Sequence, residues 1–308
     1  MSPPGALAAI DCGTNSTRLL IVDAAGLVRA REMRITRLGE GVDATRTLGP
    51  DAIERTMTVL REYSTRMDKE HVRRTRLVAT SAVRDARNGE DFLHAASEII
   101  GSVAELLPGG EEGRLSYVGA TSGLAPCPGD TVVLDIGGGS TEIVTEDRRD
   151  VLAVSMDLGC VRLSERYLRH DPPLADELSN AVDAIRVELE RAEKAIPRLT
   201  ALREGSRLIG LAGTVSTLSA LELGLEQYAR DRIHHSVLTK QMVGHWCSVL
   251  GGEPAGARAM RVGMVDGRQD VIVGGALVLR EVMTRLSFSS CLVSESDILD
   301  GLIDSMRE

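Results

Sequence analysis

The chain has few aromatic residues and an excess of negative charge, and both features exclude classes of partner. Two Phe, one Trp and four Tyr among 308 residues leave little for the base-stacking surfaces of proteins that bind single-stranded nucleic acid. The formal net charge of −9 argues against general binding to a nucleic-acid backbone. We therefore expect no nucleic-acid partner.

Signals for membranes, export and metal clusters are also missing from the sequence. No apolar run approaches the ~18 residues of a membrane span, and the start MSPPGALAAID lacks the basic and long apolar parts of a signal peptide. The five cysteines are scattered without a C-x-x-C pair, which is typical of reduced thiols. We expect a cytoplasmic protein with no membrane partner.

Two segments of the chain follow the same frame, D-x-G-x-x-S-T. They start at Asp11 and Asp135 and read DCGTNSTRLLIV and DIGGGSTEIV. Each pattern predicts a strand, a loop of small residues and a second strand, with N–H groups and hydroxyls on one concave surface that suits a phosphate. Ordinary hairpin turns are the alternative for either segment alone. The repetition favours a duplicated architecture instead.

The length and the order of predicted elements agree with a duplication. The chain exceeds the ~250 to 300 residues at which one core usually divides, so two domains are expected. The strands predicted to open the two halves are 6–11, 16–23, 27–37, 131–136, 140–146 and 151–157. Alternating helices and strands follow each set, which predicts an α/β fold with an interdomain cleft for a ligand. The Pro- and Gly-rich connector at 124–130 indicates domains at 1–124 and 125–308.

Six segments of the sequence resemble the exopolyphosphatase and guanosine pentaphosphate phosphohydrolase (Ppx/GppA) family. They are DCGTNSTRLL, ATSAVRDARN, GGEEGRL, DIGGGSTE, AGTVSTL and RQDVIVGGALVL, in this order. The resemblance implies two ribonuclease-H-like domains of the acetate and sugar kinase, Hsp70 and actin superfamily. It also implies a short form without the C-terminal His-Asp type region and a last helix at about 296–308 that can pack back on the first domain. A homodimer stays an open alternative to a monomer.

The two repeats differ in charge at one position, where the first has Arg18 and the second has Glu142. A guanidinium can bind two phosphate oxygens, whereas a carboxylate beside phosphate needs a cation between them. Glu142 together with Asp135 therefore predicts a Mg²⁺ site, with Asp11 as a further candidate ligand. The alternatives are that Asp135 accepts loop N–H bonds and that Glu142 is an outward strand residue.

Glu111 and Glu112 follow two glycines, and by composition alone they are acids that complement a helix dipole. By resemblance to the family's G-x-E-E-A segment, Glu112 takes the catalytic position and accepts the proton of the attacking water. Gly113 stands where that pattern commonly has alanine. Arg84 would neutralise charge on the transferred phosphoryl group, with a surface ion pair as the alternative.

The remaining expected phosphate ligands are mostly small or hydroxyl-bearing residues in loops, together with Arg18. The full set is Thr14, Asn15, Ser16, Arg18, Ser81, Gly137, Gly138, Gly139, Ser140, Thr141, Gly213 and Thr214. The predicted function is Mg²⁺-dependent hydrolysis of terminal phosphate from inorganic polyphosphate, with Glu112, Arg84 and Glu142 as catalytic residues. A guanosine pentaphosphate phosphohydrolase is the alternative within this class. An ATP-dependent kinase of the same superfamily and a non-catalytic sensor of alarmone or polyphosphate are the alternatives outside it.

Overall fold

The structure is a computed structural model that describes residues 5–148 and 150–307. It contains two compact units. The first unit consists of two segments, the chain up to Gly119 and the chain from Ile298 onward. The second unit is the single segment Ala120–Asp297. The first unit is therefore built from both ends of the chain.

One five-stranded sheet forms the centre of the first unit. Its strands are β1 (Ala6–Cys12), β2 (Ser16–Val22), β3 (Val28–Ile35), β4 (Val72–Ala79) and β5 (Ala104–Leu106). The associated helices are α1 (Val42–Thr45), α2 (Pro50–Lys69), α3 (Ser81–Asp85), α4 (Gly89–Ile100), α5 (Gly109–Thr121) and, at the end of the chain, α13 (Ile298–Ser305). The spatial order is β3-β2-β1-β4-β5, in which β1, β4 and β5 run parallel and β2 and β3 alternate in direction.

Helices cover both faces of this sheet because successive strand residues point to opposite sides. In β1, Ile10 belongs to the core formed with α2 and α4. Its neighbour Ala9 belongs to the core formed with α5 and α13, which includes Leu115 and Leu302. Helix α2 begins with Pro50 in its first turn, where the missing N–H costs no hydrogen bond. The sequence pattern alone thus explains how these elements bury their apolar sides.

The second unit repeats this arrangement with one additional strand. Its strands are β6 (Thr131–Ile136), β7 (Thr141–Asp147), β8 (Asp150–Met156), β9 (Arg207–Leu211), β10 (Val237–Thr239) and β11 (Ser290–Val293). Its helices are α6 (Cys160–Tyr167), α7 (Ala175–Ala195), α8 (Ala212–Glu222), α9 (Arg230–Ile233), α10 (Lys240–Gly251), α11 (Ala255–Ala259) and α12 (Ile272–Arg285). In the ranges that the structure describes, no helix combines the length and the apolar character required to cross a membrane.

The strand order of the second sheet confirms the predicted duplication. It runs β10-β11-β9-β6-β7-β8, with β6, β9 and β11 parallel and β7 and β8 alternating. Without β10, which joins antiparallel to β11, this order is the one found in the first unit. The chain therefore has the duplicated α/β fold that the repeat predicted, with two units of the ribonuclease-H-like kind that the family resemblance implied.

Local features set several element boundaries. The segment TSAVRDARN contains the short helix α3. Helix α7 ends at Ala195, and Pro197 begins a separate 3₁₀ turn. Strand β11 begins at Ser290, because Ser287 has a positive φ of 60° that a strand does not accommodate.

Ion pairs fix the entry into β6, the strand that leads to the second repeat loop. Arg198 binds both carboxylate oxygens of Asp130 at 2.8 and 2.9 Å, and the backbone N–H of Arg203 donates to the same carboxylate at 2.8 Å. Burial alone would raise the pKa of Asp130, but these hydrogen bonds outweigh it and lower the pKa to about 2. The carboxylate is therefore ionised near neutral pH and holds the chain just before β6.

The contact between α13 and α5 generates a stability prediction. A Cβ on Gly301 would lie 2.1 Å from the carbonyl oxygen of Leu115, so we expect Gly301→Ala to lower the free energy of unfolding by about 1–3 kcal/mol. Gly244, in the middle of α10, has no such neighbour within 4 Å. Gly244→Ala is the matched control and should stabilise the protein by about 0.5–1 kcal/mol through helix propensity. Urea unfolding of both variants measures the difference, and equal effects would contradict the close contact.

Candidate functional site

The first repeat forms the hairpin of β1 and β2, and its register places two opposite charges side by side. Asp11 pairs directly with Arg18 across the strands. The Arg18 Nε and Nη2 donate to Asp11 Oδ2 at 3.1 and 2.7 Å. The cation beside Asp11 in this structure is therefore a guanidinium. The phosphate-binding role of Arg18 and the metal-binding role of Asp11 stay predictions.

The loop of the first hairpin is held by its own backbone and by the chain after β3. The Gly13 N–H donates to the Ser16 carbonyl at 3.0 Å, and the Thr14 carbonyl accepts from the Gly39 N–H at 2.8 Å. The Thr14 side chain lies so close to Gly39 that a Cβ there would be 2.3 Å from Thr14 Cγ2. These contacts give the loop one defined shape.

Asn15, in the same loop, carries a donor that the surrounding protein does not use. The residue is buried, and within residues 5–148 and 150–307 its Nδ2 has no hydrogen-bond partner. An unsatisfied buried donor costs free energy unless a ligand or water accepts from it. An anion such as phosphate is a suitable acceptor, which agrees with the predicted role of Asn15.

The second repeat forms the hairpin of β6 and β7, and the same register places two like charges side by side. Asp135 pairs directly with Glu142, and the two residues are 7% and 1% exposed. The Glu142 Oε1 accepts a hydrogen bond of 2.6 Å from the Ser155 hydroxyl on β8. Carboxylates directly opposite each other repel, so this pair is suited to a shared cation. Thr141 precedes Glu142 in β7 and therefore points to the other face, with Ile136.

The glycines of the second loop are anchored on the start of α6. The Gly137 carbonyl accepts from the Cys160 N–H at 2.9 Å, and the Gly138 carbonyl accepts from the Val161 N–H at 2.9 Å. The N–H and C=O of a trans peptide point in opposite directions, so the amides of Gly138 and Gly139 point away from α6. A Cβ on Gly159 would lie 2.5 Å from the Gly138 backbone. The loop thus presents consecutive amide donors in a fixed geometry, which is suitable for an anion.

Glu112 and Arg84, 28 positions apart in the sequence, meet in the first unit. Arg84 lies in the last turn of α3 and Glu112 in the first turn of α5. The Arg84 Nη1 donates to the Leu107 carbonyl at 2.7 Å and to Glu112 Oε2 at 3.4 Å. Their side chains are 27% and 12% exposed, respectively. The structure therefore places a proton acceptor and a cation together at a partly open position, with the buried Ser81 at the start of the same α3.

Arg268 lies at the predicted Gly213–Thr214 subsite, although the sequence did not point to it. Its guanidinium packs directly on Gly213 at the start of α8, because a Cβ placed on Gly213 would lie 1.8 Å from the Arg268 Cζ. Arg268 is only 7% exposed. Thr214 is buried beside it and touches Gly275 of α12. Arg268 belongs to the segment RQDVIVGGALVL, so a cation just ahead of an apolar run was the available signal. It adds a cation to the predicted Gly213–Thr214 phosphate subsite.

The two buried cysteines next to the candidate site residues, Cys12 and Cys160, do not supply a nucleophile. All five thiols are free. Burial, and secondarily the nearby Asp11, raise the pKa of Cys12 far above its ordinary value. Burial also raises the pKa of Cys160 despite its contacts with Arg268 and Thr214. Both thiols are therefore protonated and unreactive near neutral pH.

The residues of the second repeat fit Mg²⁺. Among the described residues, no group of three or more His, Cys, Asp or Glu side chains is arranged to hold a metal ion. Mg²⁺ does not need such a group, because one or two carboxylates, waters and substrate phosphates commonly complete its coordination. Asp135 and Glu142 provide two facing carboxylates next to a loop of amide donors. They would hold the ion together with a bound phosphate.

Comparisons with known proteins agree with this combination of features. A model of the Ppx/GppA phosphatase family matches residues 21–308. Exopolyphosphatase 2 of Mycobacterium tuberculosis is 43% identical over 97% of this chain and 98% of its own. A guanosine-5'-triphosphate,3'-diphosphate pyrophosphatase of Photobacterium profundum is 33% identical over 70% of this chain and 43% of its own. A crystal structure of an exopolyphosphatase-like protein is 33% identical, covers 98% of both chains and has a TM-score of 0.92.

The unused donor of Asn15 generates a prediction about anion binding. We expect Asn15→Ala to weaken the binding of inorganic pyrophosphate by about tenfold, the loss of one charge-assisted hydrogen bond, with little loss of stability. Asn88 is the matched control, because its Nδ2 and Oδ1 both bind the Leu48 backbone. Asn88→Ala should lower the free energy of unfolding by about 1–3 kcal/mol and leave binding unchanged. Titration calorimetry and thermal unfolding measure both effects, and a reversed pattern would remove Asn15 from the site.

Proposed function

The chain belongs to the Ppx/GppA phosphatase family and is a phosphoanhydride hydrolase, and from this premise we propose that it removes terminal phosphate from inorganic polyphosphate. The contact between Arg84 and Glu112 is the observation that carries the proposal. A hydrolase needs a group that takes a proton from water and a cation that stabilises charge on the phosphoryl oxygens. These two side chains have those properties, and they are neighbours only in the folded unit.

In the proposed mechanism, Glu112 accepts a proton from the water that attacks the terminal phosphorus. Arg84 binds an equatorial oxygen of that phosphate, and its bond to the Leu107 carbonyl keeps the guanidinium oriented. The water oxygen bonds to the terminal phosphorus and the bond from that phosphorus to the bridging oxygen breaks. The shortened chain is the leaving group, and the attacked phosphate is released as orthophosphate.

Within the second unit, the second repeat would bind a phosphate group and a cation. The amides of Gly138 and Gly139 would donate to phosphate oxygens, and Asp135 and Glu142 would hold Mg²⁺. When bound, the ion would neutralise negative charge on the phosphate oxygens. Gly213, Thr214 and Arg268 provide a further phosphate contact at the start of α8. Because the relatives that match over two thirds of this chain include hydrolases of phosphoanhydrides, this proposal is preferred to a kinase or a sensor.

Replacement of the proposed base tests the mechanism. We expect Glu112→Gln to lower kcat for polyphosphate by about 10² to 10⁴, the usual contribution of a general base, while polyphosphate still binds. Glu111→Gln is the matched control, since it removes the neighbouring acid from the same helical turn. Phosphate release in the presence of Mg²⁺ is the measurement. Near-normal turnover of the Glu112 variant would exclude this residue as the base.

A second candidate substrate is guanosine pentaphosphate, and Tyr228 is the observation that favours it. The ring is 50% exposed, and its hydroxyl donates to Glu295 Oε1 at 2.7 Å. The same hydroxyl contacts Ser216 of α8, the helix that begins at the Gly213 subsite. An open aromatic face next to a carboxylate suits a purine, which stacks on the ring and donates N–H groups to the acid.

The two substrates can be separated by variants of this tyrosine. If guanosine pentaphosphate is a substrate, Tyr228→Ala should raise its KM by about tenfold, the loss of one base stack. KM for polyphosphate should stay constant, and Tyr228→Phe should restore the nucleotide KM. Competition between the two substrates over a range of chain lengths is the measurement. An unchanged KM for guanosine pentaphosphate in the alanine variant would exclude a stacking role for Tyr228.

A further inference from the structure

The second sheet carries a row of three polar residues on one face, at the end nearest its glycine loop. Asp135 on β6 lies directly opposite Glu142 on β7, and Glu142 lies directly opposite Ser155 on β8. Directly paired residues share a face of the sheet and have neighbouring side chains. The Ser155 Oγ is 2.6 Å from Glu142 Oε1 and donates its proton to it.

The same row in the first sheet ends differently. There Asp11 pairs with Arg18, and Arg18 pairs with Met33 on β3. A methionine side chain offers no hydrogen-bond donor. The second repeat, with its facing carboxylates, therefore has a hydroxyl at this position on its third strand, β8. The first repeat, in which Arg18 binds Asp11, has none at the equivalent position on β3.

The hydrogen bond from Ser155 restricts the orientation of a buried carboxylate. A glutamate side chain has three rotatable bonds, and the last of them rotates broadly unless a partner holds it. Glu142 is 1% exposed, so bulk water does not provide that partner. Ser155 is itself held by the strand ladder and by Arg191 of α7, whose Nη2 donates to the Ser155 carbonyl at 3.0 Å. With Oε1 bound to Ser155, the Oε2 atom has a defined direction.

We propose that Ser155 is a positioning residue whose hydroxyl holds the Glu142 carboxylate in the orientation that binds the divalent cation. This inference rests on the proposed function, in which Asp135 and Glu142 bind Mg²⁺. Groups that orient a metal ligand typically contribute 10- to 100-fold to metal affinity. Ser155 contacts neither the cation nor the phosphate in this proposal, so its effect acts through Glu142.

Direct metal binding tests the proposal without relying on turnover. The probe is Mn²⁺ in the presence of inorganic phosphate, with bound ion measured by electron paramagnetic resonance. We expect Ser155→Ala to weaken Mn²⁺ binding by about tenfold and Ser155→Thr to restore it, because threonine keeps the hydroxyl. In phosphate-release assays, Ser155→Ala should raise the Mg²⁺ concentration for half-maximal rate by a similar factor and leave kcat at saturating Mg²⁺ unchanged.

Two further variants separate the possible failures. Met33 on β3 occupies the position in the first sheet that Ser155 occupies in the second. Met33→Ala is therefore the control for shortening a side chain at this position, and it should leave Mn²⁺ binding unchanged. Glu142→Gln should abolish Mn²⁺ binding. If the parent protein binds no Mn²⁺ or Glu142→Gln binds it normally, the proposed metal site is wrong. If Glu142→Gln abolishes binding but folded Ser155→Ala retains parental affinity, the metal site stands and the role of Ser155 is wrong.

Discussion

The pairing register of one antiparallel hairpin in each unit is the constraint on which the candidate site residues of that unit depend. In β1–β2 it places Asp11 opposite Arg18, and in β6–β7 it places Asp135 opposite Glu142. A slip of one residue would turn each of these side chains to the other face of its sheet. The buried faces prevent such a slip, because Ile136 and Ile143 would then lose their places in the core. Apolar burial thus fixes the position of the charges.

The parallel strands of each unit supply the remaining site residues at their carboxyl ends. In the first unit, β4 leads into α3, which carries Ser81 and Arg84. In the second unit, β9 leads into α8, whose start contains Gly213 and Thr214. This is the general location of ligand sites in α/β sheets, because loops and helix N-termini with free N–H groups gather there. The duplication therefore created equivalent edges, and substitutions made their chemistry different.

Much of the candidate site could be predicted from the sequence, and the reasons for the omissions are physical. Arg84 and Glu112 were expected together only through family resemblance, since 28 positions separate them and no local pattern joins them. Arg268 was overlooked because it precedes an apolar run, 271–279, that suggests packing alone. Ser155 gave no local signal at all. Its contact with Glu142 depends on the register between β7 and β8, which a single strand does not encode.

The sequence by itself determined the duplicated α/β fold and the two loops of small residues. Apolar periodicity, glycine positions and the shared D-x-G-x-x-S-T frame are local properties that a single chain displays. Tertiary structure alone decided which residue each charged side chain contacts: Arg18 contacts Asp11, Arg84 contacts Glu112, Glu142 contacts Ser155 and Arg268 contacts Gly213. Charge interactions depend on distance and burial, and both are set only when strands pair and helices pack on them.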